Sequence, residues 1–97
     1  MRLIFEWDEQ KSYKNERKHR IGFEEAKTVF SDPLLVTFPD RYHSEEEQRL
    51  ISVGASSQNR VLLVVHTETL ESRDTVILRL ISARKATSSE RRLYEEN

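Results

Sequence analysis

The run Val61, Leu62, Leu63, Val64, Val65 constrains this chain more than any other feature. It holds five aliphatic side chains in a row, too few for a buried helix. With His66 and Thr67 it reads as a central strand covered on both faces. Such a strand needs a neighbour on each side. Residues 49–55 supply one and residues 76–82 the other, with residues 34–38 as a further strand upstream. The connections are a tight polar loop at 56–59, a turn at 71–74 and an acidic turn at 39–47. Links this short join antiparallel strands, so the expectation is a four-stranded meander.

Helices precede and follow it. Residues 3–7 form a short apolar and aromatic strand, and Asp8 is placed to cap a helix over residues 9–19. That helix is polar nearly all round, with Tyr13 its only large apolar side chain, so it packs weakly or needs a partner. Gly22 opens a second helix, with Glu25 three residues on to reach back, and Phe23, Ala26, Val29 and Phe30 form one apolar stripe. Ser31, Asp32 and Pro33 end it. Thr87 and Glu90 have the spacing of a capping box for a short last helix that turns Leu93 and Tyr94 inward. The fold class is therefore α+β. Helices cover one sheet face, and the other is left to form a site.

At 97 residues the chain is one domain, residues 1–97, with a modest core. It has no cysteine, so disulfides, thiolate nucleophiles and cysteine-based metal sites are out. Charged residues follow Met1 almost at once, with no apolar leader or membrane span, and the expected compartment is the cytoplasm. Lysine plus arginine number 16 against 17 acidic residues, which opposes tight nonspecific binding to a polyanion. The cations nonetheless cluster. Lys14, Arg17, Lys18 and Arg20 stand beside His19, and Arg79, Arg84, Lys85, Arg91 and Arg92 lie near the end.

His19, His43 and His66 are too far apart in sequence for the usual metal spacings, and His43 with Glu45, Glu46 and Glu47 lacks the pattern of a calcium loop. No metal and no cofactor is expected. With two glycines there is no phosphate loop, and no Gly-x-Ser-x-Gly elbow occurs. The chemistry that remains needs only cations and a carboxylate or imidazole. An RNA phosphodiester fits, because its own 2′-hydroxyl is the nucleophile. His66 and Glu68 share one side of a strand, and Arg79 interrupts the apolar run of residues 76–81. A buried arginine there calls for a partner or a function. The plainer reading is an ion pair of Arg79 with Glu68 or Glu47, and Arg49 within its strand invites the same two readings.

An ordered set of pieces then resembles a known family. Trp7-Asp8, Asn15, Lys18-His19, Phe23-Glu24-Glu25-Ala26, Val29-Phe30-x-Asp32-Pro33, His43-Ser44, Glu47-x-Arg49, the run from Arg79 to Ala86, and Glu90-Arg91-Arg92-x-Tyr94-Glu95 are similar to the BrnT family of bacterial toxins. The resemblance implies a RelE-like fold and a ribonuclease toxin of a type II toxin–antitoxin pair that cleaves RNA without metal and arrests translation. It also implies a BrnA-type antitoxin with a ribbon-helix-helix-like DNA-binding part, so that DNA is met only through the antitoxin. Carried over residue by residue, it makes Arg79 and Arg84 phosphate and transition-state ligands, with Lys18, His19 and Arg49 as contributors. Glu68, then His66, is the candidate base, and His66 or His19 the acid. A carboxylate among arginines makes a poor base, which weighs against Glu68. Lys14, Arg17 and Lys85 complete the RNA-binding set.

Each residue also has a plain structural reading. Lys18 and His19 can simply end a helix, where cations meet its dipole. Arg84 and Lys85 can serve antitoxin carboxylates, Arg91, Arg92 and Glu95 a solvated face, and Trp7 and Tyr13 the core rather than base stacking. The family pattern has glycine directly after Lys-His, whereas Arg20 stands here. The helix end must then use Arg20 or Ile21 in a less comfortable conformation, or the glycine has shifted by two, to Gly22. A non-catalytic binding module, or an inactive toxin that only partners the antitoxin in operon repression, is the rival reading.

Overall fold

A computed structural model describes residues 1–42 and 48–96. In chain order the elements are β1 (Arg2–Glu6), α1 (Glu9–His19), α2 (Phe23–Ala26), a 3-10 turn (Lys27–Ser31), β2 (Val36–Pro39), β3 (Leu50–Ala55), β4 (Val61–Ser72), β5 (Thr75–Lys85) and α3 (Ser88–Glu95). The acidic turn with His43, Glu45, Glu46 and Glu47 falls outside the described residues.

The sheet corrects the four-stranded expectation. It has five strands in the order β1-β5-β4-β3-β2, and it is mixed: β1 runs parallel to β5, while the other pairs are antiparallel. The N-terminal strand covers a sheet edge that β5 would otherwise leave open. β4 and β5 also extend beyond the expected 61–67 and 76–82, because their ladder continues to the pair Ser72 and Thr75.

β1 reaches only as far as Arg79 of β5. Beyond it α1 takes over the edge through one side chain. The Asn15 amide donates to the Ala83 carbonyl at 2.7 Å and accepts from the Ala83 N–H at 3.1 Å, as a neighbouring strand would. It also donates to the Ile21 carbonyl at 2.7 Å. Asn15 is the one buried residue of this polar helix, which is thus held by hydrogen bonds more than by an apolar face. Asp8 caps α1, accepting from the N–H groups of Gln10 and Lys11. At the other end Arg20 adopts a left-handed conformation, φ 63°, as the missing glycine requires.

The expected second helix is one α turn followed by a 3-10 turn, since Thr28 Oγ1 donates to the Glu25 carbonyl and Pro33 lies close downstream. Glu25 does not reach back to its cap. It turns to Arg60, with which it forms a close ion pair, and accepts from Ser56 Oγ at 2.7 Å. Burial alone would raise the Glu25 pKa, but these partners hold it below the ordinary carboxylate value.

The core lies between the helices and one sheet face: Ile21, Phe23, Ala26 and Val29 pack on Leu62, Val64, Leu80 and Ala83. Trp7 closes its margin edge-on to Phe23, so it belongs with the core. α3 has its capping box, with Glu90 accepting from Thr87 N–H at 2.8 Å and Thr87 accepting from Glu90 N–H. Tyr94 is half-buried and donates to Asp32 at 2.5 Å, whereas Leu93 is exposed rather than inward. No described helix is long and apolar enough to cross a membrane.

Candidate functional site

Alternation along the strands sorts the side chains into two faces. Ser52, Val64, His66, Leu80 and Ala83 turn toward the helices. Ile51, Leu63, Val65, Thr67, Arg79, Ser82 and Arg84 turn the other way. Arg79 and Arg84 are five residues apart and would oppose each other on a regular strand. A bulge prevents this: Val65 faces Ser82 and His66 faces Leu80, so Ile81 is an extra residue and the two arginines share a face. They lie about 15 Å apart along β5.

On this second face a concavity of about 450 Å³ is lined by His19, Phe38, Asp40, Arg49, Ile51, Leu63, Val65, Ser82, Ala83, Arg84 and Glu90. Three of the seven candidate catalytic residues meet there, His19 from the end of α1, Arg49 ahead of β3 and Arg84 from β5. Glu90 grips Arg84 with two bonds of 2.7 and 2.9 Å, and Arg84 also donates to the Lys85 carbonyl at 3.2 Å. Of five guanidinium N–H groups this leaves two for a ligand. The Arg84 bond, joined by the Thr87 cap, holds the Glu90 carboxyl below its ordinary pKa. In the sequence Glu90 reads as a cap and as part of the family motif, not as a grip on Arg84. Its position six residues after Arg84, at a strand-to-helix turn, was the available signal.

The other candidates stand elsewhere. Arg79 is exposed and pairs with Glu6 at 3.5 Å, not with Glu68, because β1 lies in register beside it; Glu47 is outside the described residues. Lys14, Arg17 and Lys18 lie on the exposed side of α1, with Arg17 over the exposed Tyr13 ring at 5.8 Å. Lys85 is exposed at the end of β5. His66 is fully buried on the helix-covered face. Its Nε2 bonds Ser52 Oγ at 2.7 Å, Ser52 in turn meets Thr37 at 2.7 Å, and Phe30 lies edge-on 4.9 Å away. Among the described residues Nδ1 has no hydrogen-bond partner, and it sits 3.9 Å from the half-exposed Glu68. Burial pushes the imidazole down to about 4, against a smaller upward pull from the Thr67 backbone. Among the described residues no group of three His, Asp or Glu is placed to hold a metal ion.

Three helices on a mixed five-stranded sheet, with histidine and arginine gathered on the face opposite the core, define a small α+β protein whose site suits an anionic ligand. The family model described as "Ribonuclease toxin, BrnT, of type II toxin-antitoxin system" matches residues 7–90, and the chain belongs to this family. Among solved structures, the Brucella abortus ribonuclease toxin BrnT is similar in fold, with a TM-score of 0.63 and 23% identity over 91% of this chain and 100% of that one. No curated protein matches the chain.

Proposed function

We propose that this protein is an endoribonuclease toxin that cuts RNA without a metal ion, with the scissile phosphate seated in the concavity of His19, Arg49 and Arg84. The observation that carries the reading is the meeting of these three side chains on one sheet face in a chain of the BrnT family. The two spare donors of Arg84 hold the phosphate oxygens, and Arg49 adds charge where the phosphorane becomes most negative. The 2′-oxygen attacks phosphorus as its proton is taken, and the 5′-oxygen leaves with a proton. Water takes the 2′-proton, and His19, the imidazole within the concavity, gives the departing 5′-oxygen its proton. Lys18 supports it from the same helix end. Arg79 holds a phosphate farther along the strand, while Lys14, Arg17 and Lys85 draw in the chain electrostatically. In this reading His66 and Glu68, on the opposite face, serve the fold.

Loss of RNA then arrests translation. A BrnA-type antitoxin with a ribbon-helix-helix-like part masks the site and brings the complex to the shared operon. The test is incubation with a long RNA in excess EDTA, beside Arg84→Ala and His19→Ala, with product ends mapped. The parent should leave 2′,3′-cyclic phosphates, and each variant should fall at least about 100-fold while staying folded. A folded parent that cuts nothing would favour ribosome-dependent action or a pure binding module.

A further inference from the structure

Beyond the end of β5 a second concavity, of about 240 Å³, is lined by Asn59, Arg60, Val61, Lys85, Ala86, Thr87, Ser88 and Arg91. Its charge sets it apart. Three other concavities among the described residues each carry at least one carboxylate, such as Asp40 and Glu90 beside Arg84, or Glu16 beside Arg17. This one carries three cations and no carboxylate, in a chain whose net charge is -1. Arg60 is committed to Glu25, behind the wall, but neither Lys85 nor Arg91 forms an ion pair with a described residue. Lys85 exerts only a longer-range pull on Glu25, weaker than that of Arg60. The Asn59 amide and the Ser88 hydroxyl add neutral donors at the rim.

Position gives the charge a meaning. Lys85 directly follows Arg84, and Arg91 directly follows Glu90, but alternation along β5 sets Lys85 beside Leu62 on the helix side, so the two concavities flank the turn from β5 into α3 from its two sides. Arg79, Arg84 and this pocket succeed one another along β5 and past its end.

We infer that the pocket of Lys85, Arg91, Asn59 and Ser88 is a phosphate subsite for single-stranded RNA, holding another backbone phosphate of the strand whose scissile phosphate is seated at Arg84, as the strand passes around the end of β5. It deepens the ribonuclease reading and rests on it for the direction of the strand. Two cations without ion-pair partners among the described residues, set in a concavity, hold a phosphodiester in place, whereas flat surface lysines only attract it. The subsite makes affinity depend on substrate length, because a dinucleotide with one phosphate cannot fill both concavities.

The test uses fluorescently labelled 2′-O-methyl RNA, which cannot undergo 2′-attack. Dinucleotide and hexanucleotide are compared by anisotropy across a salt series, on the parent and on the double variant Lys85→Gln, Arg91→Gln. The parent should prefer the hexanucleotide, and the variant should lose about tenfold of that preference. The slope of log affinity against log salt should flatten by about 0.7 for each phosphate that the variant no longer neutralises. Equal length preference and equal slopes in both proteins would overturn the subsite. So would an oligoglutamate peptide that binds the parent but not the variant while the RNA binds both alike, which would assign the pocket to a protein partner. Cleavage of ordinary RNA by the parent is scored separately: cleavage with no length effect removes the subsite alone, and a length effect without cleavage removes only the reading that free RNA is cut.

Discussion

The two faces of the sheet use the same residue types to opposite ends, and the two histidines display the difference. His66, on the helix-covered face, is sealed between Ser52 and Phe30 and held neutral by burial. His19, at the end of α1, lies beside Arg49 and Arg84 in an open concavity. A proton carrier needs access to its substrate, and a core residue needs the reverse. Residue type says little here until the face is known.

The largest effect should come from the covered face. His66→Ala removes a buried ring and the Ser52 bond and should cost about 3 kcal/mol in urea unfolding. RNA cleavage per folded molecule should stay near the parent's. A fall in cleavage out of proportion to stability would erase the contrast between the faces.

Acid should act through the same residue. The folded His66 titrates at about 4 against an ordinary 6.5, so the unfolded chain takes the proton more readily. Stability present above pH 6.5 is therefore lost as pH falls toward 4, by about 3 kcal/mol in all. Urea midpoints measured across that window should slope downward in the parent and much less in His66→Gln. Asn15→Ala should cost about 2 kcal/mol by leaving Ala83 and Ile21 backbone groups unpaired. It should also weaken cleavage, since α1 carries His19 to the open face. The smallest effect is a gain. Arg20→Gly relieves the left-handed cap and should add up to about 1 kcal/mol, read as a rise of a few degrees in Tm.

Much of this was legible beforehand. The antiparallel strands, the caps at Asp8 and Thr87, the strain at Arg20 and the family resemblance all follow from patterns within a few residues or from an ordered set of motifs. The parallel seat of β1, the Glu6 partner of Arg79 and the Asn15 bridge to Ala83 were not legible. They join residues some 70 positions apart, and no local spacing encodes them.

The sequence by itself determined the α+β class, the strand-forming core and the supply of histidine and arginine, because periodicity and composition are properties of neighbours along the chain. Tertiary structure alone decided which of those charged groups meet. One extra residue at Ile81 carries Arg84 onto the face of Arg79, and the same alternation turns His66 inward, since side-chain direction in a sheet depends on register with a strand elsewhere in the chain.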